Sequence, residues 1–518
     1  MTVKGTTIGA ITGADGRYQL TAPANATTLV FSFIGMSEKE EIIGGRNNIN
    51  IAMVSDLVAV EEVVVVAYGT AKKLGTVVGS VTQVGSAKIQ EKPVANIFDA
   101  LQGKVAGLQV YTSSGEPSQL SSIRLHGTGS LSASSTPLYV MDGVPISSDA
   151  MLSLNPNDFE SVTILKDASA TSIYGSRAAN GVVAITTKRG STNTAPKVSI
   201  KTQVGFSTLA NLDYFNSFMT TKELTDFWLS TGYRTQAQVD QLLLDYPNDF
   251  DWETFYYKDK APTYQGDVSI AGGGGKTTYY VSGSYFYQDG LAYRSAFDRK
   301  TMRSNIDSKA NDWLSFGLNL TASTDKRQTN PYGTNSTNRG LAMLAQPFYT
   351  PYDADGNEYP DVIPGWGRYN PKYLADKNPS EANNLQLDGM MYVQLNPMKG
   401  LTIRSQAGID AYDYRSFSKT LPSSLTSLNN GYAYEYFSRS VTSTITNTIE
   451  YKFTVAGDHD ITVLVGQEGI DNDYESFSGE SRGQTDDRLM LLGNGPNSRS
   501  VSQSKSEYAY LSYFGRID

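Results

Sequence analysis

The chain contains no cysteine, and only two of its 518 residues are histidine, His126 and His459. The first absence excludes a disulfide scaffold, thiolate zinc sites and thiol chemistry. The second argues against a histidine-rich metal centre. Basic residues are outnumbered by acidic ones, 43 to 52, leaving a formal net charge of −9. That balance speaks against broad nucleic-acid binding. No run of about 18 apolar residues occurs, so no transmembrane helix can be read. Nor does an apolar segment follow Met1-Thr-Val-Lys4, so no signal peptide is visible.

What the chain does have is 33 tyrosines, 47 glycines and a mean hydropathy of −0.33. A membrane-crossing β-strand needs only about 9–11 residues, and only alternate ones face lipid. The composition therefore fits a transmembrane β-barrel and a soluble β-rich protein equally well.

Period-two alternation is strong after residue 190. Val198, Ile200, Val204 and Phe206 share one face of a strand, and Lys197, Ser199, Lys201 and Gln203 take the other. Tyr279, Val281, Tyr285 and Tyr287 form a second row. Leu314, Phe316, Leu318 and Leu320 form a third, opposed by Ser315, Gly317 and Asn319. Leu401, Ile403, Ala407 and Ile409 oppose Thr402, Arg404 and Gln406, and Ile461, Val463 and Val465 make another row. About ten strands are expected in 191–518. Short turns such as Gly272–Lys276 alternate with long connectors at 207–262 and 325–388, an outer-membrane barrel pattern.

Upstream, residues 1–55 read as a small β-sandwich. A Gly13-Ala-Asp15-Gly16 turn and the buried-strand run Thr28–Phe33 carry that reading. Residues 56–72 read as a linker containing Glu61-Glu62-Val63-Val64-Val65-Val66-Ala67-Tyr68-Gly69. Valines behind carboxylates make either an ordinary sheet strand or an exposed one that adds to another protein's sheet edge. Residues 73–190 read as a small α+β domain. It has a helix near Ile97, Phe98 and Leu101, a strand into the turn Gly127-Thr128-Gly129, and a helix start at Asn155-Pro156. A short helix over Asp167–Gly175 and a last strand at Gly181–Lys188 complete it.

Two phrases in that domain are specific. One is Pro137-Leu-Tyr-Val-Met-Asp142-Gly143-Val-Pro-Ile146. The other runs Leu165-Lys166-Asp167 through Tyr174-Gly175-Ser-Arg177-Ala-Ala-Asn180-Gly181 to Gly190. Together they resemble the plug domain of SusC/RagA-type TonB-dependent outer-membrane transporters of Bacteroidetes. The first 55 residues resemble the carboxypeptidase-regulatory-like domain that precedes such plugs.

The resemblance implies a mainly β chain: a small sandwich (1–55), a linker with a TonB box (56–72), a plug (73–190) and part of a large antiparallel transmembrane barrel (191–518). It implies that Glu62, Val63, Val64, Val65, Val66, Ala67 and Tyr68 engage TonB, driven by ExbB and ExbD. It marks Arg124, Gly127, Gly129, Asp142, Gly143, Lys166, Asp167, Tyr174, Gly175, Arg177, Asn180 and Gly181 as plug-motif positions. His126 departs from the family's arginine before Gly-Thr-Gly-Ser. A SusD/RagB-like surface lipoprotein, outer-membrane lipid and a glycan or peptide ligand are the implied partners. No enzyme activity, cofactor, metal or nucleic acid is implied. The sandwich reads as cut at its start and the barrel as stopping inside a strand, so a fragment is expected.

Other chemistry is weaker. Ala271-Gly-Gly-Gly-Gly275-Lys276-Thr277 has Ile270 where a phosphate loop needs glycine, and it lies between strands. Gly127-Thr128-Gly129 lacks the third glycine of a dinucleotide fingerprint. In Asp353-Ala-Asp355-Gly356-Asn357-Glu358 the glycine falls too early for an EF-hand, so a turn is expected. Trp228, Trp252, Tyr256, Tyr257, Tyr349, Tyr352, Trp366 and Tyr369 either face a ligand or form a loop core. A signalling receptor and a non-transporting adhesin stand as alternatives to import.

Overall fold

The computed structural model describes residues 2–4, 6, 8–13, 16–24, 26–33, 36–53, 63–66, 70–73, 80–112, 115–125, 127–130, 134–167, 171–330, 345–457 and 459–518. The chain divides into two compact units, Met1–Val64 with Ala71–Val77 and Val65–Thr70 with Val78–Asp518.

The first unit holds an antiparallel sheet of β1 (Thr2–Val3), β2 (Thr28–Phe33) and β3 (Met36–Ile42). Leu29 and Phe31 point into a core with Val3 and Ile49, against which Tyr18 and Leu20 pack. Ser32 is exposed, so β2 alternates rather than being buried throughout. At the expected turn, the Gly16 N–H donates to the Gly13 carbonyl and the Gly13 N–H to that of Arg17. Further on, β4 (Val63–Val66) and β5 (Thr70–Lys73) form a two-stranded sheet.

The second unit begins with the α+β domain. Its strands are β6 (Val81–Gly85), β7 (Leu108–Tyr111), β8 (Ser122–Leu125), β9 (Leu138–Met141), β10 (Val144–Ile146), β11 (Phe159–Leu165) and β12 (Val182–Thr187). Five make one sheet in the order β10-β9-β12-β11-β6, with only β9 and β12 parallel, while β7 and β8 pair separately. The helix Ile97–Leu101 starts where the Asn96 side chain accepts the Phe98 N–H at 3.0 Å. It turns Ile97, Phe98 and Leu101 onto Ile123, Phe159, Val162 and Ile164. Each such buried side chain contributes about 1.5–3 kcal/mol. Of the expected Asp167–Gly175 helix, residues 168–170 lie outside the described residues; the Thr171 N–H donates to the Asp167 carbonyl at 3.1 Å, and helical turns run on through Ser172–Ala178 with a break at Gly175.

Ten strands follow in one antiparallel sheet in chain order. They are β13 (Thr194–Ser207), β14 (Ala261–Gly273), β15 (Thr277–Asp289), β16 (Ala296–Lys309) and β17 (Leu314–Gln328). After a loop hairpin of β18 (Val362–Ile363) and β19 (Arg368–Tyr369) come β20 (Ser380–Met398), β21 (Leu401–Thr420), β22 (Gly431–Val455), β23 (His459–Gln484) and β24 (Ser498–Ile517). The short turns 274–276, 310–313, 399–400 and 456–458 lie at one end, and the longer connections 208–260, 329–379, 421–430 and 485–497 at the other.

The sheet is inside out by soluble standards. On β17, Asn319, Thr321, Ser323 and Asp325 are buried, whereas Phe316, Leu318 and Leu320 are exposed. On β20, Asn384, Gln386 and Asp388 are buried and Leu385, Leu387 and Met391 exposed. An apolar outer face over a polar interior is the sidedness of a lipid-facing barrel wall. Among the described residues no helix is long and apolar enough to cross a membrane.

The long connector at 208–260 carries helices of its own. Helices Thr221–Ser230 and Gln236–Asp245 each begin with a reciprocal capping box, Thr220 with Glu223 and Thr235 with Gln238.

Candidate functional site: the contact between plug and wall

The α+β domain sits against the polar face of the sheet, and most of the contact is made of charged, amide and hydroxyl side chains, with one apolar cluster of Ala95, Leu152, Phe286 and Phe297. Its centre is the hairpin between β9 and β10. Asp142 and Gly143 are its two turn residues, with φ of 50° and 91°. Positive φ at both positions gives a type I′ turn, which matches strand twist and favours Asp-Gly. The turn drives the Asp142 carboxylate into the wall. It accepts from the Thr187 N–H at 3.1 Å and hydroxyl at 2.6 Å, from Arg303 Nη2 at 2.7 Å and from Asn319 Nδ2 at 3.2 Å. Side-chain exposures of 4% for Asp142 and 2% for Arg303 make this a buried ion pair. Arg303 also donates to the Thr321 hydroxyl at 2.6 Å.

Around this centre the wall supplies further anchors. Arg299, fully buried, donates to the Ala95 and Leu152 carbonyls, both at 2.9 Å. Tyr280 and Ser282 donate to one oxygen of Asp158 at 2.8 and 2.6 Å. Asn155 and Asn157 donate to the two oxygens of Asp267 at 2.9 and 2.8 Å. Ser153 donates to Asp325 at 2.6 Å, and the Ser147 N–H to Asp410 at 2.7 Å. Arg189 pairs with Asp307 at 2.6 Å, and Arg177 pairs with Glu468. Burial lowers the affinity of Lys188 for its proton, and its ammonium is held on the Asn157 carbonyl at 2.7 Å. Beside Asp142, Tyr174, Arg189, Tyr392 and Arg404 line a cavity of about 210 Å³ between domain and wall.

These partners do different things. Hydrogen-bonded ion pairs in such a contact are directional, and removing one member strands the other. The domain is thus seated in one orientation, through these polar bonds together with one apolar cluster in which Ala95 and Leu152 bury Phe286 and Phe297 of the wall.

The marked positions fall into three groups. Asp142 and Arg177 reach the wall. Tyr174 and Gly143 line the cavity at the wall, and the rest hold the domain's own loops. Arg124 donates to the Thr128 hydroxyl at 2.8 Å and lies over the Tyr111 ring. Asp167 accepts the Ser80 N–H at 2.5 Å, and Lys166 donates to the Ala106 carbonyl at 3.0 Å. Tyr174 is buried with Val140, Leu165 and Val182. Asn180 donates to the Ser134 carbonyl at 2.8 Å and touches the site where a Gly129 side chain would be, 2.5 Å away. Gly181 has φ of 90°, and a methyl there would lie 2.4 Å from Leu125. Gly127 and Gly175 also have positive φ. Of the expected TonB segment, Val63, Val64, Val65 and Val66 form β4, while Glu62, Ala67 and Tyr68 lie outside the described residues, as does His126.

Sequence reasoning missed the wall partners Arg299, Arg303, Asp325 and Asp410. The signal was present: charged residues recur at the polar positions of strands whose alternate positions are apolar. The loop aromatics resolve as a core. Trp228, Trp252 and Tyr256 are buried, Tyr349 stacks on Trp366, and Trp252 packs on Phe250 and Phe255. Asp353 accepts the N–H groups of Asp355 and Asn357, closing a turn. Among the described residues no cluster of three or more His, Asp or Glu is arranged to hold a metal.

Comparison with known proteins agrees with this geometry. Residues 73–182 match the TonB-dependent Receptor Plug Domain, and residues 1–65 the CarboxypepD_reg-like domain. TonB-dependent receptor P26 of Formosa agariphila is 32% identical over all of this chain and 52% of its own length. TonB-dependent receptor SusC of Bacteroides thetaiotaomicron is 34% identical over 74% of this chain and 38% of its own. A solved RagAB peptide importer is 39% identical with a TM-score of 0.79, over 88% of this chain and 54% of that one. The chain thus spans about half the length of the relatives it matches. Plug match, SusC and RagAB likeness, and a plug seated on an inside-out sheet together place the chain in the SusC/RagA type of the TonB-dependent receptors.

Proposed function

We propose that the protein carrying this chain imports a large nutrient, glycan or peptide, across an outer membrane, powered by TonB with ExbB and ExbD. The carrying observation is an α+β domain with its own sheet, held largely by polar side chains on one face of a wall whose other face is apolar. Such a domain blocks a lumen at rest and is released by force, because its bonds to the wall are individually exchangeable with water. Glu62–Tyr68 is the segment assigned to TonB, which would add a strand to Val63–Val66 and pull. The long-loop end faces a SusD/RagB-like lipoprotein that closes over the ligand. No catalytic step is assigned to the chain.

A reversible lock tests the gate. A Cβ placed on Gly408 of β21 would lie 3.2 Å from the Cβ of Val144 of β10. Disulfides favour Cβ separations of about 3.8 Å, and the chain has no competing cysteine. In the intact protein, Val144→Cys/Gly408→Cys is expected to stop uptake when oxidised and to restore it on reduction. Val144→Cys alone should import normally. Continued uptake with the cross-link verified by mass would refute the reading.

A further inference from the structure

Two aspartates meet on the wall beneath the plug hairpin, and neither has a bonded counter-ion. Asp388 of β20 and Asp410 of β21 stand directly opposite each other in the antiparallel register. Residues so paired carry their side chains on one face, with Cβ atoms about 4.5–5.5 Å apart. Both are buried, at 3% and 4% exposure. One amide bridges them: Gln386 Nε2 donates to Asp388 Oδ1 at 2.9 Å and to Asp410 Oδ1 at 2.7 Å. The second Asp410 oxygen accepts the Ser147 N–H of the plug at 2.7 Å. The second Asp388 oxygen, Oδ2, is buried with no hydrogen-bond partner. Yet the two carboxyls lie within hydrogen-bonding reach of each other.

The surrounding charges do not neutralise the pair. The cation that acts on it is Arg303 of β16, which lies across Thr321 in the register. The oxygens Arg303 bonds belong to Asp142, Thr187 and Thr321, not to either carboxyl of the pair. Toward β24, Tyr508 faces Asp410 and Arg177, whose guanidinium is paired with Glu468. Asp149 of the plug adds a further negative charge, felt at Tyr412. With every group ionised, one guanidinium would serve three carboxylates, Asp142, Asp388 and Asp410. Like charges directly opposite each other repel, and one of two carboxyls sharing a buried site keeps its proton. A single proton answers both observations. Asp388 Oδ2–H donates to Asp410, which gives the orphaned oxygen its hydrogen bond. One negative charge remains, accepting from Ser147 and Gln386.

We infer that Asp388 and Asp410 form a proton-binding site sealed by the docked plug, so that docking takes up one proton and undocking returns it to water. The seal is β10, whose Val144 and Ile146 line the space beside Asp388 together with Met390. Once the hairpin leaves, water reaches both carboxyls, screens their repulsion and accepts the proton. A proton held more tightly in the docked state stabilises docking at low pH, and that contribution is lost as pH rises through the docked pair's titration. Ion pairs elsewhere in the seat weaken in acid, the opposite sense. The inference concerns the seat of the plug and does not depend on the import reading.

The test uses the intact protein in detergent. Infrared difference spectra against Asp388→Asn read the proton itself. The expected result is a carboxylic-acid carbonyl band at neutral pH that shifts in deuterium oxide and is missing from the variant. Asp388→Ser serves the same comparison should the amide variant not fold. Amide hydrogen exchange at Val144–Ser147, corrected for the intrinsic effect of pH on exchange, reads docking. Native protection is expected to fall from neutral into alkaline pH by up to about tenfold per pH unit, the limit for one proton. Asp388→Asn, whose amide donates to Asp410 as the acid does, should keep the low-pH protection and lose that slope. Absence of the band from the native protein, its survival in Asp388→Asn, or the same slope in both proteins would overturn the inference. So would protection that follows added sodium or calcium instead of pH, since a metal cation would then occupy the pair.

Discussion

Asp142→Asn asks whether the plug is held by its central ion pair. In the native contact the carboxylate has three donor residues within 3.2 Å, Thr187, Arg303 and Asn319, and Arg189 lies 3.9 Å away. The amide keeps the shape but loses the charge and turns a donor toward Arg303. Arg303 retains its bonds to Thr321 and Thr187, at 2.6 and 2.7 Å. Its charge, however, stays buried without its partner. Breaking a buried pair on one side costs about 3–5 kcal/mol. At about 1.4 kcal/mol per factor of ten, that raises the undocked fraction by roughly two to three and a half decades. Amide hydrogen exchange in detergent reads this directly at Met141–Val144 and Val182–Thr187. The expected result is faster exchange at those amides, with β13–β24 unchanged. Arg303→Met in the same background should recover part of the protection, since it removes the buried charge left without its partner. Native protection in Asp142→Asn alone would refute the reasoning.

Other outcomes follow from the same structure. Gly181→Ala combines a positive φ with a contact 2.4 Å from Leu125, so it should destabilise the plug by about 1–3 kcal/mol, seen as a lower plug melting temperature by calorimetry. Burial raises the Asp99 carboxyl above its usual range, against the lowering effect of the Ser121 hydroxyl. A carboxyl raised on folding favours the folded state at low pH and loses that contribution as pH rises through its folded value. Asp99→Asn should therefore stabilise the plug at pH 7 and flatten its urea stability across the mildly acidic range. Val64→Pro/Val66→Pro removes two N–H donors from β4. It should abolish energised uptake while leaving ligand affinity within twofold, measured by whole-cell uptake beside equilibrium binding.

Much of the architecture was legible because it depends on local patterns. The period-two rows at Val198–Phe206 and Leu314–Leu320 share one face as expected, and that face is exposed, since a strand's alternation needs no knowledge of its neighbours. Asp142-Gly143 read as part of a specific phrase and proved to be a type I′ turn. The helices of the long connector carry a local signal in Thr220-x-x-Glu223 and Thr235-x-x-Gln238 that the period-two rows do not contain. Whether Trp228 and Trp252 faced ligand or core was undecidable locally. Burial depends on Phe348, which packs on Trp228, and Trp366, which packs on Trp252, each more than a hundred residues away.

By itself the sequence determined which residues alternate, where the turns fall, and which family the plug phrases resemble. Only the tertiary structure decided who meets whom. Asp142 meets Arg303 because a hairpin turn aims one carboxylate at one strand of a distant sheet. Asp388 meets Asp410 because antiparallel register brings them together. Pairing across strands is a long-range choice made by packing and burial, and no single strand's pattern contains it.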